Sequence, residues 1–241
     1  MISQRGLVLS DLHLFAGRSD GHALFDSVGS EIGEVDVLVL NGDTFDFRWS
    51  HFSDERKSID EAFLWLNELI VSLRSDQRVH FLHGNHDCLD AFSDELNELE
   101  KSEEKLIVDE RMLTLGENLF LHGDGANWNM DRVALDRFRE KWSRDQPRGK
   151  VAARSYEAVD ALGISKAFHR IYFPAGKTIQ RIAFHLDDVK PDWRSETESV
   201  YFGHTHCPFE NIGHEGVRFF NTGSAIRGMG FAPQRFEFSV E

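Results

Sequence analysis

Short runs of apolar residues recur along the chain, and each of them gives way to polar residues. The first five runs are Leu7–Leu9, Val37–Leu40, Val79–Leu82, Leu119–Leu121 and Val200–Phe202. Runs that are short and almost continuously apolar are typical of strands buried on both faces of a sheet. Two further strand-like runs, Val217–Phe220 and Arg235–Phe238, lie near the end of the chain. The pattern therefore predicts a core of buried strands.

A helix is predicted between the second and third strands. An apolar stripe at helical spacing runs from Ile59 to Leu73, and its residues recur every three or four positions. Ser58 and Glu61 have the spacing of a capping box, which predicts that the helix begins there. The acidic stretch Asp90–Glu110 is expected to form a solvated surface helix. Strand–helix–strand order predicts parallel pairing in an α/β fold, and the two late strands without an intervening helix make the sheet mixed.

A helical segment interrupts this pattern between about residues 129 and 189. Its apolar spacing predicts helices over Asn129–Ser143, roughly Ser155–Phe173 and Lys177–Leu186. Twelve Lys and Arg but only five Asp and Glu lie between Arg132 and Arg181, which gives this stretch a local charge of +7. We therefore predict a helical cap, inserted before the fifth strand, whose surface meets an anion.

The composition is that of an ordinary globular protein, and it narrows the classes of function. With 241 residues, of which 41% are hydrophobic, the chain is expected to form a single domain over residues 1–241. We find no transmembrane segment and no secretory signal, and two cysteines cannot build a disulfide scaffold. A cytoplasmic protein is therefore expected. The net charge of −14 argues against nucleic acid as a partner.

Potential metal ligands follow each of the first five predicted strands. In chain order, these blocks are Asp11-x-His13, Asp43-x-x-Asp46, Asn85-His86-Asp87, His122-Gly123-Asp124 and His204-x-His206. Because functional groups in open α/β sheets lie outside the carboxyl ends of the strands, five such ends can build one shared cluster. Residues two apart on an extended chain project the same way, so the first and last blocks are each expected to hold metal as a pair.

The ordered set of blocks, with the later run Phe220-Asn221-Thr222-Gly223-Ser224, resembles the calcineurin-like metallophosphoesterase superfamily. The resemblance covers most of the chain. It implies a two-layer mixed β-sandwich core flanked by helices, with the helical cap as an insertion, and a centre of two divalent metal ions. The implied ligands are Asp11, His13, Asp43 and His206 for the first ion, and Asp43, Asn85, His122 and His204 for the second.

The same resemblance implies that His86 is the acid for the leaving group and that Asp46 orients it. Two divalent ions about 3.5–4 Å apart clamp both oxygens of an in-line phosphoryl displacement, and a water bound to them ionises near neutral pH. A donor set that mixes carboxylate, imidazole and amide groups suits Mn²⁺, with Fe or Zn as alternatives, better than Mg²⁺ or Ca²⁺. The expected activity is hydrolysis of a phosphoester or pyrophosphate by a two-metal-activated hydroxide.

A narrower resemblance, to the UDP-2,3-diacylglucosamine diphosphatases, comes from Ser10–Leu14, Gly42–Asp46 and the basic cap. That group cleaves a pyrophosphate in a lipid A precursor at the membrane surface. The resemblance implies a nucleotide-linked lipid as substrate and at most peripheral contact with the inner membrane through the cap. Those enzymes carry arginine where this chain has His86, and the tail after Asn221 follows the general superfamily pattern. Another anionic, phosphate-containing small molecule is therefore favoured over this lipid as the substrate.

Four basic residues are candidates for binding the phosphates of the substrate. Lys166, Arg170 and Arg181 lie on the predicted cap helices, and Arg227 lies in the tail loop; the alternative for each is a solvated surface cation. Two other functions fit the sequence less well. A scaffold without catalysis is disfavoured by the complete ligand set and His86, and a DNA nuclease is disfavoured by the overall acidity.

Overall fold

The computed structural model describes residues 2–52, 54–109, 111–148, 152 and 164–240, which fold into two β-sheets covered by helices. The described strands are β1 (Ile2–Leu9), β2 (Val37–Asn41), β3 (Arg78–Leu82), β4 (Leu106–Asp109), β5 (Met112–Leu115), β6 (Asn118–Leu121), β7 (Ser199–Phe202), β8 (Phe209–His214), β9 (Val217–Asn221) and β10 (Gln234–Val240). The described helices are α1 (Gly21–Ser27), α2 (Gly29–Glu34), α3 (Glu55–Ser72), α4 (Asp90–Ser102), α5 (Arg132–Ser143), α6 (Ile164–Tyr172), α7 (Ala175–Val189) and α8 (Trp193–Glu196).

The first sheet has the strand order β10-β1-β2-β3-β4. Strands β1 to β4 pair in parallel, and β10 runs antiparallel to β1. All five residues of β2 are buried, which explains why its sequence is apolar without alternation. Helices α1 to α4 cover the outer face of this sheet and bury side chains such as Ile32, Leu66 and Phe92 in one hydrophobic cluster with it.

The second sheet has the order β5-β6-β7-β9-β8, in which β6, β7 and β9 are parallel and the two edge strands are antiparallel to their neighbours. Its outer face packs against Ile182 and Leu186 of α7 and against Trp193 of α8. The inner faces of the two sheets meet through an apolar cluster in which the rings of Phe120 and Phe236 lie 4.7 Å apart. The mixed two-layer β core flanked by helices is thus confirmed.

The predicted cap resolves into helices with two different tasks. Helix α5 matches the first predicted cap helix but begins three residues later, at Arg132. Helix α7 matches the third predicted helix and is longer than predicted at both ends. The second cap helix is predicted from about Ser155 to Phe173. Its part before residue 164 lies outside the described residues, and the described part is α6. Helix α7 covers the second sheet, whereas α5 and α6 contribute side chains near the residues that follow the strands. No described helix combines the length and the apolar composition that crossing a bilayer requires.

Two local predictions were wrong. Helix α3 begins at Glu55, because Asp54 is its N-cap and accepts a hydrogen bond from the Lys57 N–H at 2.7 Å. Ser58 lies within the first turn, where its hydroxyl donates to the Asp54 carbonyl. The acidic stretch that begins at Asp90 is helical only to Ser102 and then forms β4, whose first residue alone is fully buried.

Candidate metal centre

The loops that follow four of the strands are joined directly at one end of the two sheets. After β1 and β2, the Asp11 N–H donates to the Gly42 carbonyl at 3.0 Å. After β6 and β7, the Gly203 N–H donates to the His122 carbonyl at 2.8 Å. The His204 N–H donates to Asp11 Oδ2 at 2.8 Å and so connects the two sheets. The carboxyl ends of these strands therefore deliver their polar residues to one place, as the sequence predicts.

Asp11, His13 and His206 form the first group of potential metal ligands. Their ligand atoms lie within 4.8 Å of one another, and all three side chains are buried. His206 Nε2 lies 3.1 Å from Asp11 Oδ1 and 3.1 Å from His13 Nε2. Two imidazole nitrogens this close repel through their lone pairs unless a proton or a cation lies between them. One carboxylate and two imidazoles thus converge in a way that fits a metal ion.

Asp43, His122 and His204 form the second group, again with ligand atoms within 4.8 Å of one another. His122 Nε2 lies 3.3 Å from Asp43 Oδ2 and 3.2 Å from His204 Nδ1. The same Asp43 Oδ2 is 3.8 Å from Nε2 of His13 in the first group. Its other oxygen, Oδ1, accepts the backbone N–H of His86 at 2.8 Å. One carboxylate oxygen of Asp43 therefore faces both groups.

Asn85 adds an amide oxygen beside the second group. The next residue in the chain donates its backbone N–H to Asp43, which places Asn85 next to that carboxylate. The Asn85 side chain is buried, and its Oδ1 has no hydrogen-bond partner among the described residues. A buried polar atom left without a partner costs about 1–3 kcal/mol, and a cation would satisfy it. The residues present therefore fit the metal ions that the sequence predicts.

The backbone at the predicted ligands is not extended. Five of them have positive φ angles: Asp11 (53°), His13 (46°), Asp43 (52°), His204 (61°) and His206 (54°). Such conformations cost a residue other than glycine about 1–3 kcal/mol and concentrate at functional sites. The premise of an extended chain was therefore wrong: Asp11 and His13 do share one group, but His204 and His206 belong to different groups. The turned backbone after β7 lets two residues of one block reach two ligand groups.

Asp46 holds two imidazole rings in place. Its Oδ1 lies 2.9 Å from Nδ1 of His86, and its Oδ2 lies 3.3 Å from Nδ1 of His13. The carboxylate itself is fully buried. Because both rings turn Nδ1 toward Asp46, Nε2 of His13 is directed to the ligand groups, and Nε2 of His86 is left available to the cleft that His86 lines.

Trp142 of α5 contacts the other side of this arrangement. Its ring centroid lies 4.7 Å from that of His86, and the Arg48 guanidinium lies 4.3 Å from the Trp142 ring. Arg48 is in turn 3.1 Å from Asp145, just beyond α5. The cap helix is therefore fastened to the loop that carries Asp46. Sequence reasoning did not single out Trp142, because a lone tryptophan in an amphipathic helix gives no signal of what it packs against.

The charges in the centre divide its histidines into two kinds. Burial lowers the pKa of His13 and His122, but the carboxylates beside them outweigh burial and raise the two pKa values to about 9 and about 10. Burial lowers the pKa of His204 to about 4 and that of His206 to about 3. Burial also opposes the charge on Asp46, yet the neighbouring His86 and His13 hold its pKa well below the usual range.

We expect metal binding to the metal-free protein to release about two protons at pH 7. His13 and His122 are protonated there, since their pKa values of about 9 and about 10 lie above that pH, and an imidazole must lose its proton to bind a metal. Affinity should therefore rise with pH from 6 to 9. Titration calorimetry in buffers of different ionisation enthalpy measures the proton count. A binding heat that is the same in all buffers would contradict the expectation.

Two glycines allow the loops to approach the carboxylates. A Cβ on Gly84 would lie 2.1 Å from Asp43 Oδ1, and a Cβ on Gly203 would lie 2.0 Å from Asp11 Oδ2. We expect Gly84→Ala to displace the Asp43 carboxylate and to weaken metal binding about 10–100-fold, as for other changes beside a ligand. Gly29→Ala is the matched control, because nothing lies within 4 Å of its added carbon. Equal metal affinities of the two variants would refute this.

Two further buried acids connect the elements around the centre. Asp87 accepts the N–H groups of Thr44 and Gly84, each at 2.7 Å, and so ties the loop after β2 to the loop after β3. Burial raises the pKa of Asp87 to about 7. Asp124 forms a buried ion pair with Arg139 of α5 at 2.7 Å. Both acids lie in the blocks singled out in the sequence, but their partners could be found only from the fold.

A cleft of about 450 Å³ opens at the centre and is lined by Asp43, His86 and His204, among other residues. Its walls carry aromatic side chains from the cap and from the loop before it. These are Trp128, Phe138, Trp142, Phe168, Tyr172 and Phe173. Trp128 and Phe168 are 48% and 56% exposed, so part of this aromatic surface is open to a ligand.

The four predicted phosphate-binding cations lie in different surroundings. Arg181 is buried, donates to the Ala126 carbonyl at 2.8 Å and lies 4.9 Å from the Tyr172 ring, which makes it a support of the cap. Arg227 is exposed, lies 3.4 Å from Asp20 and also donates to the Gly17 carbonyl. Lys166 and Arg170 line a cleft next to His206. The structure therefore leaves these two as the candidates for binding an anion.

The profile of the calcineurin-like phosphoesterase family matches residues 5–208. The chain belongs to the calcineurin-like phosphoesterase family. With the His and Asp groups described above, this membership makes it a metal-dependent phosphohydrolase in general terms. No curated protein matches the sequence.

Solved structures of low sequence identity resemble this fold. A predicted phosphoesterase from Streptococcus pneumoniae is 15% identical, with a TM-score of 0.41, over 99% of this chain and 85% of that chain. Phosphopantetheinyl hydrolase from Mycobacterium tuberculosis is also 15% identical, with a TM-score of 0.46, over 96% of this chain and 95% of that chain. Zinc-complexed Vps29 from Entamoeba histolytica is 12% identical, with a TM-score of 0.38, over 98% of this chain and 86% of that chain.

Proposed function

We propose that this protein hydrolyses a phosphoester or pyrophosphate bond with two divalent metal ions. The observation that carries the proposal is the position of Asp43 Oδ2, which is 3.3 Å from Nε2 of His122 and 3.8 Å from Nε2 of His13. A carboxylate oxygen that faces two separate groups of ligands is suited to bridge two ions. Two ions held close together are the arrangement that clamps a phosphoryl group during displacement.

The two groups and their neighbours supply a complete donor set. The first ion would be held by Asp11, His13, Asp43 and His206, and the second by Asp43, Asn85, His122 and His204. When bound, such ions activate a water molecule for attack on phosphorus and neutralise charge on the phosphate. Carboxylate, imidazole and amide donors together favour Mn²⁺, with Fe and Zn as alternatives, over Mg²⁺ and Ca²⁺.

His86 is the residue that we propose as the general acid. Asp46 accepts the hydrogen bond from its Nδ1–H, so the proton that is donated is carried at Nε2. From there it passes to the oxygen of the leaving group, which departs as a neutral alcohol or a singly protonated phosphate. Trp142 packs on the ring and restricts its orientation. The aromatic walls of the cleft present apolar surface to the departing group.

The experiment is hydrolysis of bis-p-nitrophenyl phosphate by metal-free protein and by protein reloaded with Mn²⁺, Zn²⁺ or Mg²⁺. We expect turnover only with bound metal and the fastest turnover with Mn²⁺. Protein that binds Mn²⁺ but cleaves neither this diester nor a nucleoside pyrophosphate would instead be a metal-binding scaffold, and the proposal would fail. Metal content measured by mass spectrometry in each sample separates the two outcomes.

A second, more specific candidate is hydrolysis of UDP-2,3-diacylglucosamine. It is favoured by an exposed apolar stripe on α6, where Ile164, Phe168 and Ile171 recur at helical spacing and are 54%, 56% and 81% exposed. Exposed apolar patches of this kind mark sites that contact lipid or another apolar partner. Release of UMP from this lipid in mixed micelles by the Mn²⁺-loaded protein would support it. Diester cleavage without lipid turnover would point to water-soluble phosphate compounds instead.

A further inference from the structure

A second cleft, of about 400 Å³, adjoins the metal-site cleft. His206 and Phe173 line both clefts and form their common border. Lys166 and Arg170 of α6 contribute the charged part of its lining. The remaining lining includes Pro208 and backbone around Gly230, which are uncharged.

Helix α6 presents different residues to the two clefts. Phe168 and Tyr172, four positions apart, line the metal-site cleft, and Lys166 and Arg170, also four positions apart, line the second. Between these rows, the His169 ring stacks on His206 at 4.7 Å and 7°, with its Nδ1 2.9 Å from the Thr205 carbonyl oxygen. Residues four apart share one face of a helix, so the division is a property of α6 as a whole. The stacked pair fixes this helix to the ligand loop.

Among the residues that the structure describes, no carboxylate balances the positive charge in the second cleft. Neither Lys166 nor Arg170 makes a hydrogen bond or an ion pair with any part of the described chain, and no described carboxylate lines this cleft. Other arginines near the centre differ, since Arg139 pairs with Asp124 and Arg111 pairs with Asp136. In a chain of net charge −14, two cations facing a concave surface without a carboxylate create a local positive potential.

We propose that this cleft binds a second phosphate group of the substrate, next to the phosphate that is cleaved at the metal centre. The inference rests on the proposed function and narrows it to substrates with two linked phosphate groups. The planar guanidinium of Arg170 suits paired hydrogen bonds to phosphate oxygens, and Lys166 adds a point charge. A pyrophosphate diester is bound in both clefts and so has higher affinity, whereas a simple diester occupies the metal-site cleft alone.

The test compares two ligands that differ by one phosphate-like group. Methylenediphosphonate, which cannot be hydrolysed, and inorganic phosphate are each titrated calorimetrically into the protein with Mn²⁺ in excess over the ligand. We expect Lys166→Ala/Arg170→Ala to weaken diphosphonate binding at least about tenfold, because two charge-assisted contacts are lost, and to change phosphate binding less than about twofold. Lys177→Ala is the matched control, as it removes an exposed cation of α7 that does not line the cleft.

The outcomes separate this inference from the proposed function. Unchanged diphosphonate binding, or an equal loss for both ligands, would overturn the cleft as a phosphate site. Recovery of diphosphonate affinity in Lys166→Arg/Arg170→Lys would support it, since a folding defect would not respond to charge. If the wild-type protein binds both ligands with the expected preference but hydrolyses no phosphate compound, the cleft assignment stands and the catalytic proposal fails.

Discussion

Asp43→Asn is expected to lose bound metal and to lower kcat for phosphodiester hydrolysis by at least about 10³-fold. Asp43 Oδ1 already accepts the His86 N–H, so the asparagine carbonyl oxygen would keep that bond. Its amide nitrogen would then replace Oδ2 and present N–H donors to His13 and His122. An N–H donor in place of the shared oxygen cannot hold a metal ion. Metal ions lower the activation free energy by several kcal/mol. Since about 1.36 kcal/mol corresponds to a tenfold change in rate, their loss accounts for the expected fall in kcat.

Metal content and kcat should be measured together on this variant. Asp26→Asn is the matched control, because it makes the same chemical change at an exposed position of α1. The control should keep full metal content and full activity. An Asp43→Asn protein that retains two ions and more than about a tenth of the wild-type kcat would show that the carboxylate does not join the two groups.

His86→Ala is expected to lower kcat by about 10²–10⁴-fold on a substrate with a poor leaving group, such as an alkyl phosphodiester. Metal content should not change, because His86 belongs to neither of the two ligand groups that flank Asp43; the third cluster of possible ligands, His13, Asp46 and His86, is one in which Asp46 already engages Nδ1 of His86. With a p-nitrophenolate leaving group, which needs no proton to depart, the loss should shrink to a small factor. The pattern across leaving groups thus distinguishes lost proton donation from a general disturbance of the centre.

Steady-state kinetics on the two substrate types measure this difference, with His22→Ala in α1 as the exposed-histidine control. The control should leave both rates unchanged. Undiminished kcat of His86→Ala on the alkyl diester would remove the acid role from His86. An equal loss on both substrates would assign the histidine to the structure of the centre.

The sequence determines the strand ends of this fold well, because apolar runs that stop at polar blocks carry their own signal. Val37–Leu40 is buried along its whole length, and its continuous apolar pattern is the one expected of a strand covered on both faces. Strands β4, β5 and β8 were missed because they are short or partly exposed; in β8 no residue is fully buried. Their pairing comes from neighbouring strands, which local composition does not report.

The ligand blocks could be found in the sequence, but their grouping followed only from the family resemblance and not from the strand pattern. The positive φ angles at the ends of the strands redirect side chains by an amount that a strand pattern does not encode. The role of Arg181 likewise could not be predicted from the sequence, because its hydrogen-bond acceptor, the Ala126 carbonyl at 2.8 Å, is brought near by the fold. Charge counting identifies a basic cap, and tertiary contacts decide which of its cations are already paired.

The most direct test of the central claim is a Mn²⁺ titration of metal-free protein with bis-p-nitrophenyl phosphate hydrolysis as the readout. We predict no turnover without metal and a rise that reaches its plateau at two Mn²⁺ per chain, since Asp43 faces two groups of ligands. Turnover in the metal-free protein, a plateau at one equivalent, or no turnover at full occupancy would each contradict a two-metal phosphohydrolase.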